Sequence, residues 1–118
     1  MSSNPFPSRL SLPPLELDCM KSVWALGRGT VKQVHRDLAS RRPLAYTTVL
    51  TVLDRLHRKG VVRRERKGKA HLYRPAYFEE DARKDALERL VRDFFGGSEH
   101  RLANYLGNPG DRPASLDE

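Results

Sequence analysis

The hydrophobic period of this chain changes at Gly60, and that change restricts the fold more than any other feature. Up to Lys59 apolar residues recur every three or four positions; from Val61 to Arg74 the pattern turns to alternation. Spacing of the first kind builds helices with one buried face, and alternation builds strands. A run of helices followed by one short hairpin leaves the hairpin no sheet of its own to join. It must lean on the helices before it, because two strands alone are not stable.

The helical part reads as three segments. Leu15, Cys19, Met20, Val23, Trp24 and Leu26 fall on one broad face, and Gly27 and Gly29 stop the first helix. Thr30 is placed to cap the second, whose apolar stripe is Val31, Val34 and Leu38; Pro43 ends it. The third runs from Ala45 to Lys59. Val49, Val52, Leu53 and Leu56 should face the core, leaving Thr47, Thr48, Thr51, Asp54, Arg55 and Arg58 on the other side. A strand from Val61 to Arg66, a turn at Lys67-Gly68-Lys69 and a return strand from Ala70 to Arg74 complete the head. Tyr73 and Tyr77 are expected to pack beneath this hairpin.

Helical spacing returns from Glu79 to Phe95, breaks at Gly96-Gly97, and resumes after Ser98, a candidate cap. The expected organisation is an N-terminal arm over 1–14, a head over 15–76, a helical arm over 77–106 and a polar, Pro/Gly-rich tail over 107–118. The fold class is mainly α with a small β-hairpin: three helices and a hairpin in the order of a winged helix-turn-helix, followed by a helical dimerisation arm.

Charge is distributed unevenly along this plan. Residues 1–75 carry 16 Lys/Arg against 5 Asp/Glu, and residues 76–118 carry 6 against 10. A basic head joined to a mildly acidic arm suits a module that docks on a polyanion and holds a second copy elsewhere. No segment approaches the length of a membrane span and the N-terminus has no apolar signal core, so no membrane insertion and a cytoplasmic location are expected. The single cysteine, Cys19, excludes an internal disulfide and a multi-cysteine metal cluster; among apolar neighbours it reads as a small buried hydrophobe.

Within a helix-turn-helix the third helix enters the major groove. Thr47, Thr48 and Thr51 lie towards its N-terminal half, where their hydroxyls and methyls could address base edges. Arg55 and Arg58 follow one and two turns later and would meet phosphates. Arg63, Arg64, Arg66, Lys67 and Lys69 on the hairpin would grip the backbone without reading sequence. His35, His57, His71 and His100 are scattered, with no metal-ligand spacing. No phosphate-binding glycine loop or nucleophile elbow is present. No catalysis, metal or cofactor is expected.

The stretch TVKQVHRDLASRRPLAYTTVLTVLDRLHRKGVVRRERKGKAHLYRP, with MKSVW before it and FFGGS after it, resembles the penicillinase-repressor family of BlaI, MecI and CopY type. The resemblance runs from about Leu15 to Leu106. It implies a winged helix with a C-terminal helical dimerisation domain, a homodimer, a pseudo-palindromic double-stranded DNA operator and transcriptional repression. By position it puts base contacts on Thr47, Thr48 and Thr51 and a phosphate contact on Arg55. Ala45 and Tyr46 stand where the family often has a capping Ser or Thr and then Pro, which gives Tyr46 the chance of a contact of its own. A basic residue is frequent where Thr47 stands, so operator preference is expected to differ. The paired cysteines of the copper-responsive members are absent.

Leu87, Leu90, Val91, Phe94, Phe95, Leu102, Tyr105 and Leu106 are the expected dimer contacts. In β-lactam-responsive members a sensor-linked protease cuts near an Asn-Phe bond; counting from Gly96-Gly97, that place is Asn104-Tyr105. A tyrosine packed in the dimer interface is the other reading of the same residues. The alternative function for the whole chain is a winged-helix protein-interaction module, or a non-specific architectural DNA-binding module.

Overall fold

The computed structural model describes residues 12–107, so most of the expected N-terminal arm and all but the first residue of the expected tail lie outside the described residues. The elements are α1 (Pro14–Leu26), β1 (Gly29–Thr30), α2 (Val31–Leu38), α3 (Tyr46–Arg58), β2 (Val62–Lys67), β3 (Ala70–Pro75), α4 (Glu79–Phe94) and α5 (Glu99–Gly107). They form two compact units, one ending at Ala82 and the other beginning at Arg83, with the division inside α4.

In the first unit α1, α2 and α3 pack around one core. Cys19, Met20 and Val23 of α1 meet Val34 and Leu38 of α2 and Val49, Val52, Leu53 and Leu56 of α3. Tyr73 and Tyr77 close it from below the hairpin, both almost fully buried as expected. Trp24 lies at the margin and donates its indole N–H to the Tyr77 carbonyl at 2.8 Å. Leu26 departs from the sequence expectation: it is 38% exposed. It is the last residue of α1, where the broad apolar face has already run past the core.

Helix α2 is short and depends on its cap. The Thr30 hydroxyl accepts from the Gln33 N–H (3.2 Å), and the Gln33 side-chain carbonyl accepts from the Thr30 N–H (2.9 Å). Two orphan donors are thus satisfied reciprocally. The same Thr30 begins a feature that sequence reading missed. Gly29 and Thr30 form a strand that pairs antiparallel with β3, opposite Tyr73 and Leu72. The sheet therefore has three strands in the order β1-β3-β2, not the two of the expected hairpin.

The hairpin turn is also tighter than expected. Lys67 pairs with Ala70, leaving a two-residue loop of Gly68 and Lys69 in place of three. Gly68 has φ +63°, and every other described residue with positive φ is also a glycine. A glycine at the first loop position with positive φ matches the twist of the flanking strands.

Burial pushes the Cys19 thiol up to about 11, with the Asp18 carboxylate adding to the effect. An unfolded cysteine loses its proton near pH ~8.5. Between those values the native state holds a proton that the unfolded chain has released, so stability falls as pH rises. The wild-type protein should lose roughly 2 kcal/mol more than Cys19→Ala between pH ~8.5 and ~11, measured by denaturant unfolding. Parallel losses in the two proteins would contradict a buried neutral thiol.

In the second unit Gly96 and Gly97 both adopt left-handed φ (59° and 81°). The Gly97 N–H reaches back to the Val91 carbonyl at 2.9 Å and stops α4. Ser98 then caps α5, its hydroxyl accepting from the Arg101 N–H at 3.2 Å.

Candidate nucleic-acid interface

A network of charged contacts fixes α3 against the rest of the head. Glu16 of α1 is 2% exposed. It takes Lys59 Nζ at 2.5 Å and lies 3.6 Å from Arg55 Nη1. A carboxylate this buried is tolerated only with such partners. At the other end, Arg42 meets Asp18 at 2.9 Å, and Arg41 reaches both Asp37 (3.1 Å) and the buried Ser22 hydroxyl. These pairs bind the α2–α3 connection to α1. His35 adds a strut: its Nε2 lies 2.8 Å from the Leu44 carbonyl, and its ring meets Tyr46 edge-on, centroids 5.8 Å apart. His35 is half-buried at the α2–α3 connection.

The outward side of α3 carries Tyr46, Thr47, Leu50, Thr51, Arg55 and Arg58, all exposed, with Thr48 half-buried beside them. The Thr51 hydroxyl donates to the Thr47 carbonyl at 2.9 Å. Its proton is therefore committed, and it turns lone pairs and a methyl outward. Thr47 makes no such bond and is free to donate or accept.

The candidate arginines are not equally available. Arg58 is paired with Asp54 (3.1 Å), which also lies 3.6 Å from Arg64 of β2. Asp54 thereby links the candidate reading helix to the wing. Because strand faces alternate, Arg64 and Arg66 share one side of the hairpin with His71, while Arg63 and Lys67 share the other with Arg74. Arg74 is paired with Glu65 on that second side. Arg66 donates to the Gly68 carbonyl at 3.2 Å and stays at the wing tip. The hairpin cations thus divide over two faces, which their run in the sequence does not reveal. Between α3 and the wing lies a cleft of about 500 Å³, bordered by Tyr46 and Leu50 on one side, Lys69 and His71 on the other, and Lys32 at the start of α2.

The second unit has a different surface. Leu90 and Phe94 of α4, Phe95 just beyond it, and Leu102, Tyr105 and Leu106 of α5 line an apolar groove of about 350 Å³. Phe94 is 78% exposed, and Phe95 packs on Tyr105 with ring centroids 5.6 Å apart. Leu87 is exposed on α4. Val91, grouped with these residues in the sequence reading, is instead buried within the chain and presents no surface. Asn104 and Tyr105 lie inside α5, Asn104 exposed and Tyr105 half-buried.

Among the described residues no helix is long and apolar enough to cross a membrane, and no group of His, Cys, Asp or Glu is placed to hold a metal ion.

Comparison with known proteins adds five findings. The family model described as "Penicillinase repressor" matches residues 12–108. The transcriptional regulator BlaI of Mycobacterium tuberculosis is 47% identical over 64 residues, 53% of this chain and 46% of that protein. The chain therefore spans about half the length of that relative. The penicillinase repressor of Bacillus licheniformis is 26% identical over 94 residues, 79% of this chain and 73% of that one. The solution structure of the DNA-binding domain of the repressor BlaI superposes with TM-score 0.53 at 27% identity, covering 63% of this chain and 88% of that one. The complex structure of hsRosR-S4 shares the fold at TM-score 0.56 and 20% identity, covering 92% and 95%.

Proposed function

This chain belongs to the penicillinase-repressor family, and from that premise we propose that it is a sequence-specific DNA-binding transcriptional repressor. The observation that carries the proposal is the outward face of α3. It presents three threonines beside a wing whose cations Arg63, Arg66, Lys67 and Lys69 are all exposed. A merely solvated helix gains little from β-branched threonines. A helix lying in the major groove can use each hydroxyl and each methyl.

In this reading α3 enters the groove by its N-terminal turn, with Tyr46, Thr47 and Thr48 at its start and Thr51 one turn on. Thr51, with its proton committed to Thr47, can accept from the amino group of adenine or cytosine or pack on a thymine methyl, but cannot donate. Arg55 and Arg58 reach phosphates, with Glu16 and Asp54 holding their other edges in place. The wing cations Arg63, Arg66, Lys67 and Lys69 meet the backbone; Arg64 is braced by Asp54.

Two copies joined through the α4–α5 groove would bind an inverted repeat, one half-site to each α3. Repression follows from occupying a promoter that RNA polymerase needs. Relief by cleavage at Asn104-Tyr105 would require α5 to unwind first, because a protease takes extended chain. The family's description names a repressor and no catalytic activity.

Thr47→Val keeps the shape and removes the hydroxyl, so it tests the reading role. It should cost about 1–3 kcal/mol on the preferred operator and relax preference at one base pair per half-site. Affinity for unrelated duplex should stay unchanged. A uniform loss over all sequences, measured by fluorescence anisotropy, would contradict base reading by Thr47.

A further inference from the structure

Leu50 stands on the candidate reading face with no polar atom to offer. It is 42% exposed, and Tyr46, one turn earlier on the same edge of α3, is 47% exposed. The core does not need it: Val49, Val52, Leu53 and Leu56 complete the buried face of the helix, each at most 1% exposed. Together Leu50 and Tyr46 form one wall of the cleft that faces Lys69 and His71 of the wing. An apolar edge is thus set into a basic surface, flanked by Thr47 and Thr51.

In a major groove nearly every exposed base group is a hydrogen-bond donor or acceptor, which a leucine would desolvate without replacing its bond. The exception is the C5-methyl group of thymine. Lys32 and Lys69 border the same cleft and supply the positive charge that a DNA strand passing beside Leu50 requires. We propose that Leu50 is a specificity-determining residue that selects thymine through its C5-methyl group. The inference rests on the reading of α3 as the base-reading helix and adds a contact that hydrogen bonding does not provide.

The test uses an operator recovered by selection from random duplexes, in which each thymine is replaced singly by deoxyuridine. That exchange removes only the methyl group. For the full chain, the single replacement at the thymine that Leu50 contacts should weaken binding about three- to fivefold, the worth of one buried methyl. Leu50→Ala should bind the thymine and uracil forms equally, while its thermal midpoint and its affinity for unrelated duplex match the wild type. Leu50→Met should keep the sensitivity to the methyl. If no uracil replacement weakens the wild-type protein, or if Leu50→Ala stays as sensitive as wild type, thymine selection by Leu50 is overturned and the operator stands. A pool that yields no enriched sequence overturns the base-reading role of α3 and this inference with it.

Discussion

Exchanging Arg63, Arg66, Lys67 and Lys69 together for alanine should lower affinity for duplex DNA about 10²–10³-fold at ~0.15 M salt. The physical reason is counterion release. Each phosphate neutralised by Lys or Arg contributes about 0.9 to the slope of log affinity against log salt. A dimer with two altered wings should therefore show a slope smaller by as much as ~7. Sequence preference should persist, because these side chains position the protein and do not read bases. Arg64 is left in place in this variant, since its contact with Asp54 holds the wing to α3. A slope reduced by less than ~1 would mean that the wing does not lie on the backbone. The four side chains are exposed, and an unchanged thermal midpoint would show that the lost affinity is not a loss of folding.

The second large effect concerns the apolar groove of the α4–α5 unit. Phe94→Asp puts a charge on a side chain that is 78% exposed in the single chain. Burying that charge in a dimer would be costly, whereas in a monomer it remains in water. Sedimentation should then give a particle of 13.5 kDa, where the wild-type protein gives twice that mass. Binding to a two-half-site operator should fall by about 10²–10⁴, to the level of a single half-site, because the second contact is no longer tethered. Phe94→Leu should retain both properties. A wild-type protein that sediments as a monomer at micromolar concentration, or a Phe94→Asp variant that remains dimeric, would remove the groove from the dimer.

Much of this architecture was legible in the chain because it depends on local spacing. Val49, Val52, Leu53 and Leu56 are all buried where their three- and four-residue repeat put them. Thr30 and Ser98 cap the helices they precede. The elements that escaped depend on contacts distant in sequence, or are too short to carry a period. Strand β1 is two residues long and has no alternation to display; only its pairing with β3 defines it. Leu26 shares the spacing of its buried neighbours, but it lies beyond the reach of the core.

The candidate site divides in the same way. The exposed threonines could be placed from periodicity, whereas the partners of the arginines could not. Glu16 reads as an ordinary helical carboxylate, yet it is buried against Lys59, 43 positions away. Asp54 reads as a solvated neighbour of Arg58 and turns out to join α3 to Arg64 of the wing. Leu50 carried no signal, since an exposed leucine cannot be told from a buried one until the rest of the core is seen to be complete. His35 gave none either, because its strut to Leu44 depends on how the α2–α3 connection turns.

These contacts make the head a pre-arranged surface. The pairs from Glu16, Asp18 and Asp37 orient α3 before any ligand arrives, so little ordering cost remains at the moment of binding. The central claim is that this surface reads a sequence. It is tested most directly by binding the full chain to a pool of random DNA duplexes at ~0.15 M salt, then sequencing the retained fraction. An enriched inverted repeat, with half-site centres about one helical turn or a multiple of it apart, is the predicted result. Retention of DNA without any enriched sequence would contradict the claim and leave a non-specific architectural module. Failure to retain DNA at all would instead assign the fold to protein interaction.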